Sequence, residues 1–291
     1  MADRSNVTFL VLFGIAIAAT VLIGAVYLTM VYFGGGTVTL GDAVAVVDVR
    51  GELGYDLAKI QEIGDYRDDD GIKAVLICVD SPGGGVAASQ ALYQEVRKTR
   101  EQKPVVVSMG SVAASGGYYV ACAADSIVAH EGTVTGSIGV IAEYLRTEEL
   151  FQKIGLEVTV IKSGGLKDVG SPYREMTEDE KIYIGGLLDK VYAQFVRAVS
   201  DARGIPIERV RELAEGRLYT GEEAVDLGLV DRIGTYGDAL SIAARMGGIS
   251  GQPRVVRRQP QRSLAEKFLG RYARAIPVGR EERIALKYII P

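Results

Sequence analysis

Between Val7 and Phe33 the chain carries no charged side chain, and beyond Gly34-Gly35-Gly36 it changes character, alternating short apolar runs with longer mixed stretches. Ala43–Val49 is apolar and β-branched on both faces, the pattern of a strand buried in a parallel sheet. Tyr55–Arg67 then predicts a helix, Ala74–Val79 a second buried strand, Ala87–Arg100 a helix and Pro104–Met109 a third strand ending at Gly110-Ser111. A Gly-rich turn and a small-residue helix follow from Ser115 to about Ala124, and Ser126–Ala129 and Val158–Ile161 are predicted as further short strands. Thr177-Glu178-Asp179-Glu180 has the form of a capping box. It opens a helix with apolar positions at Ile184, Leu187, Leu188, Val191, Phe195 and Val199, and Thr220-Gly221-Glu222-Glu223 in the same way opens a shorter one that ends near Gly228. Repeated β-α units predict an α/β domain with a largely parallel sheet and right-handed crossovers.

The uncharged 27-residue run exceeds the roughly 20 residues that span a bilayer and the 7–15 of a secretory h-region. It reads as an uncleaved transmembrane helix. Arg4 and the α-amine on the near side, against no Lys or Arg up to Val49, place the N-terminus in the cytoplasm and the body outside it. The expected localisation is therefore the cell membrane, single-pass. The organisation predicted is an anchor and Gly linker over 1–36, one domain over 37–250 and a tail over 251–291. The tail carries ten Lys/Arg and three Asp/Glu, leaving 23 basic and 34 acidic groups for the rest. A basic tail on an acidic body fits an intramolecular, intersubunit or membrane-surface contact.

Composition removes several kinds of chemistry. A net charge of −4 gives no overall signature of nucleic-acid binding. Two cysteines, Cys78 and Cys122, make neither a disulfide framework nor a Cys-based zinc site, and one histidine, His130, makes no multi-His metal site. No cofactor or metal is expected.

Three glycine-rich segments fall where strands give way to loops, the place ligands occupy in open α/β sheets. Ser81-Pro82-Gly83-Gly84-Gly85 lacks the Lys-Ser/Thr of a phosphate loop and the full dinucleotide pattern, so a cradle for an oxyanion or a peptide backbone is the better reading. In Ala113-Ala114-Ser115-Gly116-Gly117-Tyr118-Tyr119 the serine has small neighbours that leave its hydroxyl approachable, although a serine before a helix is often only an N-cap. The third, Lys162 to Pro172, carries Lys162 and Lys167. A serine nucleophile needs a base, and the chain offers only His130 or a lysine. A lysine serves as base only as the free amine, which calls for burial in an apolar or interface pocket.

Five segments, DSPGGG (Asp80–Gly85), ASGGYY (Ala114–Tyr119), TGSIGVI (Thr135–Ile141), KSGGLKDVGSP (Lys162–Pro172) and YTGEEAVDLGLVD (Tyr219–Asp231), stand in the order and spacing of the signal peptide peptidase A family of Ser/Lys membrane proteases. The resemblance is to the short, single-domain form and covers roughly residues 40–245. It implies the Clp-protease and crotonase-like fold of ββα units. Carried over position by position, it implies Ser115 as nucleophile, Lys167 as general base with Lys162 the weaker candidate, and Ser137 as the hydroxyl that orients the lysine amine. Gly116 and Gly83 or Gly84 match the oxyanion-hole donors, and His130 has no role in the pattern. The implied activity is endopeptidase cleavage of signal peptides left in the membrane after preprotein processing. The long forms of the family supply serine and lysine from duplicated domains, whereas this chain has one copy of each motif. A ring-like homo-oligomer with the dyad shared between protomers is therefore expected. Three competitors share the fold: an acyl-CoA hydratase, a Ser-His-Asp peptidase using His130, and a non-catalytic scaffold.

Overall fold

The computed structural model describes residues 4–33, 42–258 and 287–289, with side chains over 12–26 and 42–258. Two compact units emerge, Met1–Leu40 and Gly41–Pro291. The first contains helix α1 (Arg4–Phe33). Here the expectation of a membrane anchor is corrected: among the described residues, no helix is long and apolar enough to cross a membrane. The transmembrane helix, the membrane as a partner through residues 7–33 and the single-pass placement with an extracytoplasmic domain fall with it. The Gly34–Gly36 joint and most of the tail lie outside the described residues.

The second unit opens with strand β1 (Ala43–Arg50), helix α2 (Leu57–Asp68), strand β2 (Ile72–Ser81), the short strand β3 (Gly83–Gly85) and helix α3 (Val86–Arg100). Strand β4 (Val105–Ala114), helix α4 (Gly116–Ala121), β5 (Ser126–Ala129) and β6 (Val134–Gly136) follow. Then come α5 (Glu148–Lys153), a 3₁₀ turn (Gly165–Asp168), α6 (Glu178–Arg203), α7 (Ile207–Leu213), β7 (Leu218–Thr220) and α8 (Gly221–Asp226). The chain closes with β8 (Arg232–Ile233), α9 (Tyr236–Met246), β9 (Arg254–Val256) and β10 (Lys287–Ile289).

The eight-stranded sheet runs β7-β6-β4-β2-β1-β9, with β5 beside β4 and β8 beside β5. Its pairings are parallel except β6 with β7. The continuous apolar strands follow from burial on both faces. Ala45, Val47, Val75, Ile77, Val105 and Val107 pack toward Ile63, Leu92, Tyr118, Phe195 and Val199, from α2, α3, α4 and α6. Val44, Val46, Ala74, Leu76, Val106 and Val128 pack on the other side against Ala239, Ile242 and Ala243 of α9. β9 pairs in register with Ala43–Ala45, so the sheet reaches past residue 250 into the predicted tail.

Two element predictions differ. β4 does not end at Gly110-Ser111 but continues to Ala114 through a bulge: Val79 pairs Met109, yet Ser81 pairs Ala113. The Asp80 carboxylate accepts from the Val112 amide at 3.2 Å, and the Thr133 hydroxyl donates to the Gly110 carbonyl at 2.8 Å. Side chains across the gap thus satisfy the bulged backbone. Val158–Ile161 is not a strand among the described pairings, and its apolar side chains lie open, Ile161 at 96%. Both anticipated capping boxes close reciprocally, at Thr177/Glu180 and Thr220/Glu223, and α9 has a third at Thr235/Asp238.

Candidate active site

The bulge determines what the strand ends bring together. One row across β2, β4 and β6 is Ser81, Ala113 and Thr135. Two residues further on, at the carboxyl edge, lie Gly83, Ser115 and Ser137. Three of the sequence-predicted segments therefore converge because their strands are parallel neighbours. The row is tied down by the Thr135 hydroxyl on the Ala113 carbonyl at 2.7 Å and by the Ser115 amide on the Gly136 carbonyl at 2.8 Å.

Ser115 sits before α4 at φ 54 and ψ −119, and its side chain makes no capping hydrogen bond. The bland reading as an N-cap therefore fails. A non-glycine residue at positive φ stores backbone strain of order 1–3 kcal/mol, and only Ser115 and Ser137 (φ 50) do so among the described residues. Ser115 is 1% and Ser137 8% exposed. The neighbouring tyrosines are structural: the Tyr118 hydroxyl donates to Leu229 O at 3.0 Å, and Tyr119 packs between Tyr93 and Phe195.

Gly136 lets Ser137 take this position. It has φ 80, and a Cβ there would lie 2.6 Å from the Tyr219 ring and 2.9 Å from the Arg217 carbonyl. The Ser137 amide donates to that same carbonyl at 2.7 Å. Gly136→Ala is expected to destabilise the fold by at least about 2 kcal/mol, a melting-point drop of roughly 4–8 °C. Gly139→Ala, where the nearest atom would be at 3.6 Å, should melt within about 2 °C of the parent. Equal melting points in calorimetry would contradict this account.

The glycine segment Gly83–Gly85 forms a strand edge. The Leu53 amide donates to Gly83 O at 2.8 Å and the Gly85 amide to Leu53 O at 2.9 Å, while the Gly83 amide donates to the Ser81 hydroxyl at 3.1 Å. Of the two expected oxyanion donors here, Gly83 thus has its N–H engaged, and Gly84 pairs with Tyr288 of β10. At Gly84 a Cβ would overlap the Leu53 backbone, so close strand approach demands glycine. The opposite edge pairs antiparallel with β10, Tyr288 facing Gly84.

The lysine loop is built differently. Lys162 donates to the Asp168 carboxylate at 2.5 Å and to Gly165 O at 2.9 Å. Its ammonium is thus paired directly with a carboxylate, the situation a base must avoid. Lys167 is exposed in the 3₁₀ turn, and its amine enters no ion pair or hydrogen bond among the described residues, with Ser115 or otherwise. His130 is exposed at a turn where its amide donates to the Thr133 hydroxyl at 3.1 Å. The cysteines offer no competing nucleophile, since burial pushes the Cys78 thiol up to about 11 and the Cys122 thiol up to about 12.

Sequence reasoning missed Leu53, which pairs the glycine strand, and the work of Asp80 and Thr133 at the bulge. Asp80 begins the DSPGGG segment and could have been found there. Leu53 has no local signal.

A strained buried serine at the carboxyl edge of a parallel sheet, beside the glycine strand Gly83–Gly85, is the arrangement of a serine peptidase. The chain belongs to peptidase family S49, whose description matches residues 97–249. It is 37% identical to a candidate protease of Methanocaldococcus jannaschii over 86% of this chain and 85% of that one. It is 42% identical to a candidate signal peptide peptidase of Enterococcus faecium (63% of this chain, 52% of that one) and 35% identical to Protease 4 of Salmonella typhi (74% and 34%). Among solved structures, a ClpP1 variant of Listeria monocytogenes aligns with a TM-score of 0.45 and 16% identity, over 67% of this chain and 93% of that one.

Proposed function

We propose that this S49 serine protease is an endopeptidase with a Ser115/Lys167 dyad, and that its substrates are apolar peptides of the signal-peptide kind. The observation that carries the reading is Ser115 itself: positive φ, no capping bond, and a place in the same row as Ser137 and beside the glycine edge. A substrate strand takes the edge of Gly83–Gly85 that β10 occupies here, by main-chain hydrogen bonds. Lys167 as free amine accepts the Ser115 proton, oriented by Ser137. Ser115 Oγ attacks the scissile carbonyl, and the oxyanion lies between the Gly84 and Gly116 amides. The amine leaves with the proton from Lys167, and water hydrolyses the acyl-enzyme with Lys167 as base again.

Within one chain Ser115 is buried and Lys167 exposed. The segment leading to the lysine loop exposes Leu156, Val158, Val160 and Ile161, and the start of α6 exposes Ile182 and Tyr183. A second copy of the chain is the occupant that covers this surface and brings Lys167 to a neighbour's Ser115. A head-to-tail contact of that kind closes as a ring. The Clp/crotonase relationship of the fold is part of this same reading.

A fluorophosphonate probe tests the nucleophile. It should label the protein once per chain at Ser115 and leave Ser115→Ala unlabelled. Equal labelling of the variant would refute the assignment, and an unlabelled parent would favour the scaffold reading.

A further inference from the structure

Asp168 follows Lys167 directly in the 3₁₀ turn. A free carboxylate beside a general base would hold the proton on the amine. Here both Asp168 oxygens are engaged elsewhere. Arg174 Nε donates to Oδ2 at 2.9 Å and Nη2 to Oδ1 at 2.8 Å, while Lys162 takes Oδ1 from the other side. The same guanidinium donates to Glu180 through Nη1 at 2.8 Å and Nη2 at 2.5 Å, and its remaining contacts are the carbonyls of Glu175 and Asp168. Glu180 is 5% exposed and is fixed by the Thr177 amide at 2.9 Å in the capping box that starts α6. The loop's charges therefore close on themselves without Lys167: Lys162 and Arg174 face Asp168 and Glu180. The nearby Glu175 faces Arg146, which also faces Glu149.

We propose that Arg174 is a positioning residue of the reaction: it clamps Asp168 to the buried Glu180 at the start of α6, fixing the Lys167 turn and keeping the Asp168 carboxylate off the Lys167 amine. This rests on Lys167 being the base. A planar five-donor fork suits the task, since a lysine ammonium is a point charge without bidentate geometry.

The clamp's own titration lies far from the working range. Hydrogen bonds from Arg174 and Lys162 hold the Asp168 carboxyl well below the usual carboxylate range, and Arg174 with the Thr177 amide brings Glu180 down to about 2. With folded values depressed, the clamp's contribution is complete above the ordinary carboxylate range of about 4 and is lost only as pH falls toward 2. A change in the alkaline limb of the rate profile therefore reports the base and not the clamp coming undone.

The experiment measures kcat and KM from pH 6 to 10 on an apolar fluorogenic peptide. Arg174→Met should move the rising limb about one pH unit to the alkaline side, because a freed carboxylate near an amine has about that effect. The rate near pH 7 should then fall about tenfold with KM little changed. Asp168→Asn added to Arg174→Met should return the limb to its parental position, a recovery that a merely loosened loop would not show. Arg174→Lys, the gentler variant should Arg174→Met fold poorly, should shift the limb the same way but less. Limbs that coincide with the parent in both single variants, or a limb still displaced in the double variant, overturn the proposal. Lys167→Ala runs alongside. If it is inactive while Arg174→Met and Arg174→Lys keep the parental limb, only the clamp fails; if it is active, the base assignment fails and the clamp with it.

Discussion

Lys167→Ala is expected to lower kcat by about 10⁴-fold or more, the loss typical of removing the base from a serine nucleophile, while His130→Ala stays within about threefold of the parent. The expectation follows from the proposed dyad and from the state of the lysine loop. Lys162 is paired with Asp168 at 2.5 Å. His130 is an exposed turn residue whose amide is held by Thr133, and the row of Ser81, Ala113 and Thr135 points to Ser115 and Ser137 without involving it. Of the two lysines in the loop, Lys167 has the amine without a partner among the described residues. The rate of a lysine-base enzyme follows the free amine, so kcat/KM should climb across the neutral-to-alkaline range. A plateau from about pH 6, with a large loss in His130→Ala and little in Lys167→Ala, is the pattern of a histidine base and would end the dyad reading.

The parts of this molecule that could be read from sequence are those in which burial writes the code. β1 and β2 are apolar on both faces because both faces are covered, and the spacing of Val191, Phe195 and Val199 on α6 is that of a helix face packed on the core. The boxes at Thr177 and Thr220 were legible because their bonds span only three residues. What could not be read depends on partners distant in sequence. β4 runs on past Gly110 because Asp80 and Thr133 satisfy the bulge from neighbouring strands. Val158–Ile161 has the composition of a strand, but strand formation needs an edge, and the chain provides none among the described pairings. The first half of α6 carries apolar side chains at Ile182 and Leu187 that remain exposed, so its periodicity there does not mark the core. At the candidate site, the sequence singled out Ser115, Ser137 and the glycines but not the positive φ shared by the two serines, nor that Ser81 engages the Gly83 amide. The uncharged run of residues 7–33 suggested a bilayer span, and no helix among the described residues is long and apolar enough to be one.

Mixing Ser115→Ala chains with Lys167→Ala chains, each inactive alone, is expected to restore activity. The two residues are separated inside one chain: Ser115 is buried at the sheet edge, Lys167 is exposed, and no hydrogen bond joins them. A base must come within about 2.6–3.2 Å of the hydroxyl it deprotonates. An apolar surface runs along the approach to the lysine loop, with Ile161 at 96% exposure and Leu156, Val158 and Val160 beside it. Covering that surface with a neighbour would supply the apolar surroundings that favour a neutral amine. In a ring of randomly mixed subunits, each head-to-tail interface pairs one Ser115 with one Lys167, so about one interface in four joins two intact halves. Activity of the mixture should therefore reach roughly a quarter of the parent at equal stoichiometry, against a residual of about 10⁻⁴ for either variant alone. Subunit exchange is verified by differently tagged chains co-eluting on size exclusion. Exchanged oligomers that remain inactive would place both residues of each dyad in a single chain, and the intersubunit reading would be wrong.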